Sequence, residues 1–356
     1  MKIVLAGAGT AGHIEPALAV AEAWRKEFPK SDFEFVGTTS GLENVLVASA
    51  GYKLSTIPKV VLPRSLSPAG LLAPLQFGQA LSRSLKITKG ADCVIGFGGY
   101  VSAPIYLAAA LRRIPFVLHE ANAIPGWANR FGAFLGGAMA VGKPVESGRF
   151  RNAEVVGLPL KPAISAALNI AKHDWPAARS SAKAKLGINS GKPLILIMGG
   201  SQGSAVINSI VANSLPNLTA NFEILHSVGG KNQLPLGTPG YQPVAYIEDM
   251  ATAYLAADLV IGRSGAITCA EVNALGKYAI FIPLAIGNGE QARNADFLIG
   301  QGRAVVVSQN EFSTEWLLKN LPIVLKKSRD FVAGNESDRA AVANIVKLMR
   351  RHARIG

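Results

Sequence analysis

Cysteine is scarce: the 356 residues contain only two, Cys93 in "ADCVIGF" and Cys269 in "AITCAEV". Neither has a second cysteine or a histidine at metal-ligand spacing, which excludes a disulfide framework or a zinc site built on them and points to a reducing cytosolic compartment. Long apolar runs are missing as well. None approaches the ~18 residues that a membrane-spanning helix needs. The opening Met1-Lys-Ile-Val-Leu leads directly into a glycine loop, so no secretory h-region is expected ahead of the fold. A soluble chain, or one seated on a membrane surface, is the reading. Acidic residues are the third shortage, with 23 against 36 Lys and Arg and a formal charge of +13. Such an excess favours anionic partners. From Asn44 to Ala91 there is no Asp or Glu, while Lys53, Lys59, Arg64, Arg83, Lys86 and Lys89 all fall there. The stretches between them are aliphatic, without the interleaved aromatics that stack bases, so nucleic acid is not the expected partner.

What is present is apolar and periodic. With 49% hydrophobic and 17% charged residues the chain can bury a sizeable core, and its length fits two domains. Strands are expected at "KIVLAGA", "FEFVG", "CVIGFGG", "FVLHE" and "AEVVG". A second set is expected at "PLILIMGGSQGS", "FEILHSVGG", "PVAYIED", "LVIGRSGA", "YAIFIPLA" and "RAVVVSQ". "HIEPALAVAEAWRKEF" repeats apolar residues along one helix face, so a helix is expected from His13. Strand and helix alternate in both halves, each half opening with a strand, a glycine turn and a helix. The fold class is therefore α/β, with two doubly wound Rossmann-like domains facing each other across a cleft. The segment from Gly157 to Pro193, marked by prolines and polar residues, reads as the linker.

Gly7, Gly9 and Gly12 match the G-x-G-x-x-G spacing of dinucleotide sites. That fingerprint also needs a carboxylate at the end of the second strand, and Gly37-Thr38-Thr39 has none. A nicotinamide site is not expected. What remains is a glycine loop at a helix N-terminus, which favours anions and phosphates above all. His13 would open that helix, where the dipole disfavours imidazolium and leaves a neutral ring able to accept a proton. The alternative is a histidine that only caps the helix.

"GTAGH" (9–13), "GFGGYVSAP" (96–104), "HEAN" (119–122), "GGSQGS" (199–204), "YIEDM" (246–250), "RSGAITCAE" (263–271) and "EQARNA" (290–295) follow in that order through both halves. The set closely resembles the MurG family of bacterial glycosyltransferases. The resemblance implies a GT-B fold. It implies inverting transfer of N-acetylglucosamine from UDP-N-acetylglucosamine to the C4 hydroxyl of the muramyl sugar of lipid I, giving lipid II for peptidoglycan. It implies an acceptor and membrane-associating domain over 1–162, joined by a C-terminal helix at 337–356, and a donor domain over 163–336. Donor contacts would fall on Ser201, Ile247, Ala266, Ile267, Thr268, Glu271 and Gln291, with Ile247 reading the uracil edge and Glu271 the ribose. Thr10, Ala11, Gly12, Asn122 and Lys161 would be further substrate contacts. His13 and Glu120 are the candidates for the base.

Plainer readings stand beside these roles. Thr268-Cys-Ala-Glu271 has the form of a capping box, Gln291 that of a solvated polar residue, and Glu120 that of a salt bridge or a partner of His119. The chain also departs from the family pattern. Ala11 stands for a glycine, which matters if that position needs positive φ. Ala121 stands for a glutamine and Lys161 for an arginine, losing a two-pronged grip on phosphate. The departing diphosphate can be met by glycine-turn N–H groups and a helix N-terminus, and no Asp-x-Asp pair is present, so no metal and no cofactor are expected.

The family's acceptor also implies docking on the anionic cytoplasmic leaflet of the plasma membrane, where other cell-wall synthesis proteins would be neighbours. Leu71, Leu72, Leu75 and Phe77 beside Arg64, Arg83, Lys86 and Lys89 form the expected surface, the alternative being a core helix with a basic outer face. Two rival functions share the architecture: a UDP-sugar epimerase and a two-lobed anion-binding protein.

Overall fold

The computed structural model describes residues 1–59, 73–146, 148–284, 289–328 and 333–354. The chain divides into an N-terminal unit, Met1–Leu160 with Asp338–Gly356, and a C-terminal unit, Lys161–Ser337.

In the N-terminal unit the strands are β1 (Lys2–Ala6), β2 (Asp32–Gly37), β3 (Lys53–Thr56), β4 (Cys93–Gly96), β5 (Phe116–Glu120), β6 (Ala138–Val141) and β7 (Glu154–Val155). They form one sheet in the order β3-β2-β1-β4-β5-β6-β7, all parallel. Helices α1 (Ala11–Glu27), α2 (Glu43–Ser49), α3 (Ala73–Ile87), α4 (Ser102–Leu111), α5 (Trp127–Phe134) and the C-terminal α14 (Ala341–His352) surround it. A strand buried on both faces reads as an unbroken apolar run, and its alternate side chains enter different cores. So it is with β1. Val4 and Ala6 join Ile105 and Tyr106 of α4 on one face, while Ile3 and Leu5 join Trp24 of α1 and Ile345 and Met349 of α14 on the other. The chain's end is fastened to this unit by Asp338, whose Oδ1 accepts from the Leu158 N–H at 2.9 Å, and by Asn344, whose Nδ2 donates to Val156 O at 3.2 Å.

In the C-terminal unit, β8 (Leu194–Met198), β9 (Glu223–Ser227), β10 (Tyr241–Val244), β11 (Leu259–Gly262), β12 (Ala279–Phe281) and β13 (Ala304–Val306) form a second parallel sheet in the order β10-β9-β8-β11-β12-β13. Its helices are α6 (Pro162–Ala171), α7 (Trp175–Lys185), α8 (Ala205–Leu218), α9 (Met250–Ala256), α10 (Ala266–Ala274), α11 (Glu290–Asn294), α12 (Asp296–Gly300) and α13 (Thr314–Ser328). Both sheets have the doubly wound order, with the strand sequence reversing beside the first strand of each.

Three expectations need correction. The expected linker is α6 and α7, which pack on α9 within the C-terminal unit. Two of its four prolines, Pro162 and Pro176, stand in the first turn of a helix, where a missing N–H costs nothing. Strands β3 and β6 went unseen because "KLST" is short and mostly polar and "AMAV" is small and featureless. "PVAYIED" contributes only its first two residues to β10, which ends at Val244.

Candidate active site

In each sheet the carboxyl ends of the strands beside the reversal carry the glycine motifs. After β1, Gly7 is pressed against the next helix: a Cβ there would stand 2.7 Å from His13 O. Gly9 takes the left-handed conformation at φ +90°, and Thr10 is the N-cap of α1. Ala11 is the first helical residue, so the positive φ falls on Gly9 and the alanine meets no strain. His13 is accordingly the third helical residue, not the first. Its Nδ1 lies 3.0 Å from Ala8 O and 3.4 Å from Thr10 Oγ1. A carbonyl oxygen only accepts, so the Ala8 contact puts a proton on Nδ1, which in the neutral ring leaves the lone pair on Nε2. The loop after β4 closes on the same ring. Cβ atoms built at Gly98 and Gly99, both at positive φ, would stand 3.4 Å from Nε2 and 3.5 Å from Nδ1.

The loop was expected to favour an anion with its N–H groups. One of them, that of Gly9, is taken internally, donating to Glu43 Oε2 at 3.1 Å. Glu43 was missed because it lies in the next helix, beyond the end of the strand where a carboxylate was sought.

Glu120, at the end of β5, is buried. Its carboxylate accepts from Asn122 N and Nδ2, Gly126 N and Asn129 Nδ2 at 2.9–3.1 Å. Those bonds shape the loop that carries Asn122. His119 is not its partner: the ring donates to Gly157 O at 3.0 Å, and burial lowers its pKa to about 4.

In the C-terminal unit, β8 runs into Gly199–Gly203 and then α8, capped by Ser204. Ser201 lies in this turn, half-buried. Beside it β11 runs into Arg263-Ser264-Gly265, and Gly265 caps α10. Arg263 ties the two turns together, donating to Ser204 Oγ at 2.8 Å, Gln309 Oε1 at 2.7 Å and Ile282 O at 2.9 Å. Ala266, Ile267 and Thr268 form the first turn of α10. Because Gly265 is the cap, Thr268 and Glu271 cannot be a capping box, and that alternative is overturned. Glu271 is 5% exposed and accepts from the Tyr254 hydroxyl at 3.0 Å. Burial and this carboxylate hold the Tyr254 phenol well above its ordinary pKa. Gln291 is not a solvated side chain: its Oε1 accepts from Leu284 N at 3.0 Å. Ile247 is buried in the loop before α9, and Lys161 precedes α6 as its N-cap. Among the described residues no three His, Cys, Asp or Glu side chains are grouped to hold a metal ion.

Two doubly wound sheets, each with a glycine turn at its reversal, one holding a histidine and the other two neighbouring helix N-termini, define the GT-B class of nucleotide-sugar enzymes. The chain belongs to glycosyltransferase family 28: the family's N-terminal domain matches residues 3–140 and its C-terminal domain residues 194–349. It is 43% identical over 345 residues, 95% of this chain and 89% of the other, to a Thermobifida fusca protein. That protein is named UDP-N-acetylglucosamine–N-acetylmuramyl-(pentapeptide) pyrophosphoryl-undecaprenol N-acetylglucosamine transferase. Among solved structures it resembles Acinetobacter baumannii MurG at TM-score 0.70 and 28% identity, over 98% of this chain and 99% of that one. The UDP-GlcNAc 2-epimerase of Methanocaldococcus jannaschii, at TM-score 0.62 and 14% identity over 99% of this chain and 100% of that one, shares the fold.

Proposed function

We propose that the enzyme transfers N-acetylglucosamine from UDP-N-acetylglucosamine to the C4 hydroxyl of the muramyl sugar of lipid I, inverting the anomeric centre. The observation that carries the reading is the pair of turns in the C-terminal unit, Gly199–Ser204 and Ser264–Ala266, held together by Arg263. Their N–H groups suit the diphosphate, whose charge grows as the anomeric C–O bond breaks. Glu271 suits the ribose hydroxyls, and Ile247 and Gln291 the base and sugar. In the N-terminal unit, His13 Nε2 receives the proton as the acceptor oxygen bonds to the anomeric carbon, and later yields it to solvent. Glu120, with its carboxylate already engaged, serves better to hold Asn122 than to act as the base.

The test is incubation with labelled UDP-N-acetylglucosamine and a short-chain lipid I analogue. UDP release with label in the disaccharide is expected; label that changes only its own sugar, without acceptor, would mark an epimerase.

The acceptor is a membrane lipid, and no helix among the described residues is long and apolar enough to cross a bilayer. Peripheral docking on the anionic cytoplasmic leaflet fits the surface of α3, α4 and α5. Leu75, Leu111 and Phe134 are exposed there, Arg149 stacks over the Phe134 ring at 5.9 Å, and Arg83 and Lys86 face solvent. Arg64, Leu71 and Leu72 lie outside the described residues. Phe77 is partly buried against the core, so it supports the fold more than the surface.

A further inference from the structure

The Ala8–Gly9 peptide group is engaged at both ends. Its carbonyl oxygen accepts from His13 Nδ1 at 3.0 Å, and its N–H donates to Glu43 Oε2 at 3.1 Å. The other carboxylate oxygen accepts from the Thr38 N–H at 2.7 Å and the Thr38 hydroxyl at 2.8 Å. Glu43 is 0% exposed. Room for it is made by Gly37 and Gly41, where a Cβ would overlap the glutamate side chain although neither glycine has a positive φ. Asn44 Nδ2 donates to Thr38 O and Gly41 O, closing the same loop. The segment between β2 and α2 is thus a socket for one carboxylate. Burial works to raise the Glu43 pKa, but hydrogen bonds from Gly9, Thr38 and its own backbone N–H outweigh this and hold it below the ordinary value. The buried group is an anion.

An anion at the N–H end of a peptide polarises it and makes its carbonyl a stronger acceptor. We propose that Glu43 is a positioning residue for His13, acting through the Ala8–Gly9 peptide to fix the ring and keep its proton on Nδ1 and its lone pair on Nε2. This rests on His13 as the base, but the coupling is measured separately from that role. A free neutral histidine prefers its proton on Nε2, so the tautomer reports the coupling.

The experiment is ¹⁵N NMR of the neutral His13 ring, with steady-state kinetics, in wild type, Glu43→Gln and Thr38→Val. Glutamine kept on Thr38 by its oxygen turns an NH₂ toward the Gly9 N–H and breaks the link. Wild type should be Nδ1–H. Glu43→Gln should move toward Nε2–H and lose about tenfold or more in kcat, as loss of an orienting partner does, with KM for UDP-N-acetylglucosamine unchanged. Thr38→Val should lower the melting temperature and leave both tautomer and kcat as in wild type. Where Glu43→Gln does not fold, Glu43→Asp, which draws the charge back from Gly9, replaces it with the same expectations. An Nε2–H ring in wild type, or a kcat loss without a tautomer change, overturns the proposal, as does equal kcat loss in Thr38→Val. A tautomer change without kcat loss supports the coupling and overturns the base assignment instead.

Discussion

The glycine turns of the two units occupy the same place in the same topology, yet their anchors carry opposite charge. Behind Gly9 stands a buried carboxylate, Glu43; beside Ser204 stands a guanidinium, Arg263. A turn whose N–H is already given to an internal anion has less to offer a phosphate, and its next helix presents a histidine instead. A turn steadied through a serine hydroxyl by a cation has positive charge beside it, and the N–H it uses internally, that of Gly203, goes to a neutral carbonyl, Gly200 O, at 2.9 Å. On the proposed function, one strand–turn–helix motif serves a proton acceptor in one unit and a diphosphate in the other. The glycine spacing alone does not say which.

The contrast is broken most severely at His13. His13→Ala should lower kcat by ~10²–10⁴-fold, the usual contribution of a positioned base, while calorimetry finds UDP-N-acetylglucosamine affinity unchanged. Turnover near wild type would pass the role to Glu120 or to solvent. The mirror-image variant is Glu271→Gln, which still offers an oxygen to the buried Tyr254 hydroxyl where alanine would strand it. It should raise the donor KM roughly 10- to 100-fold, since hydrogen bonds to a charged group contribute about 1.5–3 kcal/mol. Wild-type donor KM in a folded Glu271→Gln would remove the ribose role.

Each unit also buries one neutral histidine. His119 hydrogen-bonds Gly157 O, and His226 lies between Tyr241 Oη and Asn208 Oδ1, both at 3.1 Å. Burial lowers both pKa values from 6.5 to about 4. Between those values the unfolded chain binds the protons and the folded chain does not, so stability is full above about pH 6.5 and falls as pH drops toward 4. Urea midpoints at pH 7 and 5 should differ by ~2 kcal/mol of stability per histidine. A flat profile would contradict it. The smallest effect is expected from Ala11→Gly, which restores the family's residue. It should cost up to ~1 kcal/mol of stability with kcat unchanged, because Ala11 is helical and glycine weakens a helix.

Legibility followed chemistry that repeats along the chain. Unbroken runs such as "KIVLA" and "LILIM" announce buried parallel strands, and "RSGAITCAE" with "GGSQGS" marks a family. Contacts that depend on one side chain reaching across the fold left no such trace. Glu43 meets Gly9 only because β1 and β2 lie side by side and two glycines clear a path. A glutamate shortly after Gly37 and Gly41 was the available signal. Arg263 was visible as part of a motif, but its grip on Ser204 follows from β8 and β11 being neighbours. A capping box at Thr268 and Glu271 stood as an alternative to the ribose role because the true cap, Gly265, has no side chain to advertise it.

The most direct test of this division of labour is amide hydrogen exchange of the whole enzyme with and without UDP. Slowed exchange at residues 199–204 and 264–268, with residues 7–12 unchanged, is the expected result. Protection of 7–12 without protection of 199–204 would put the diphosphate on the histidine's turn and contradict the account.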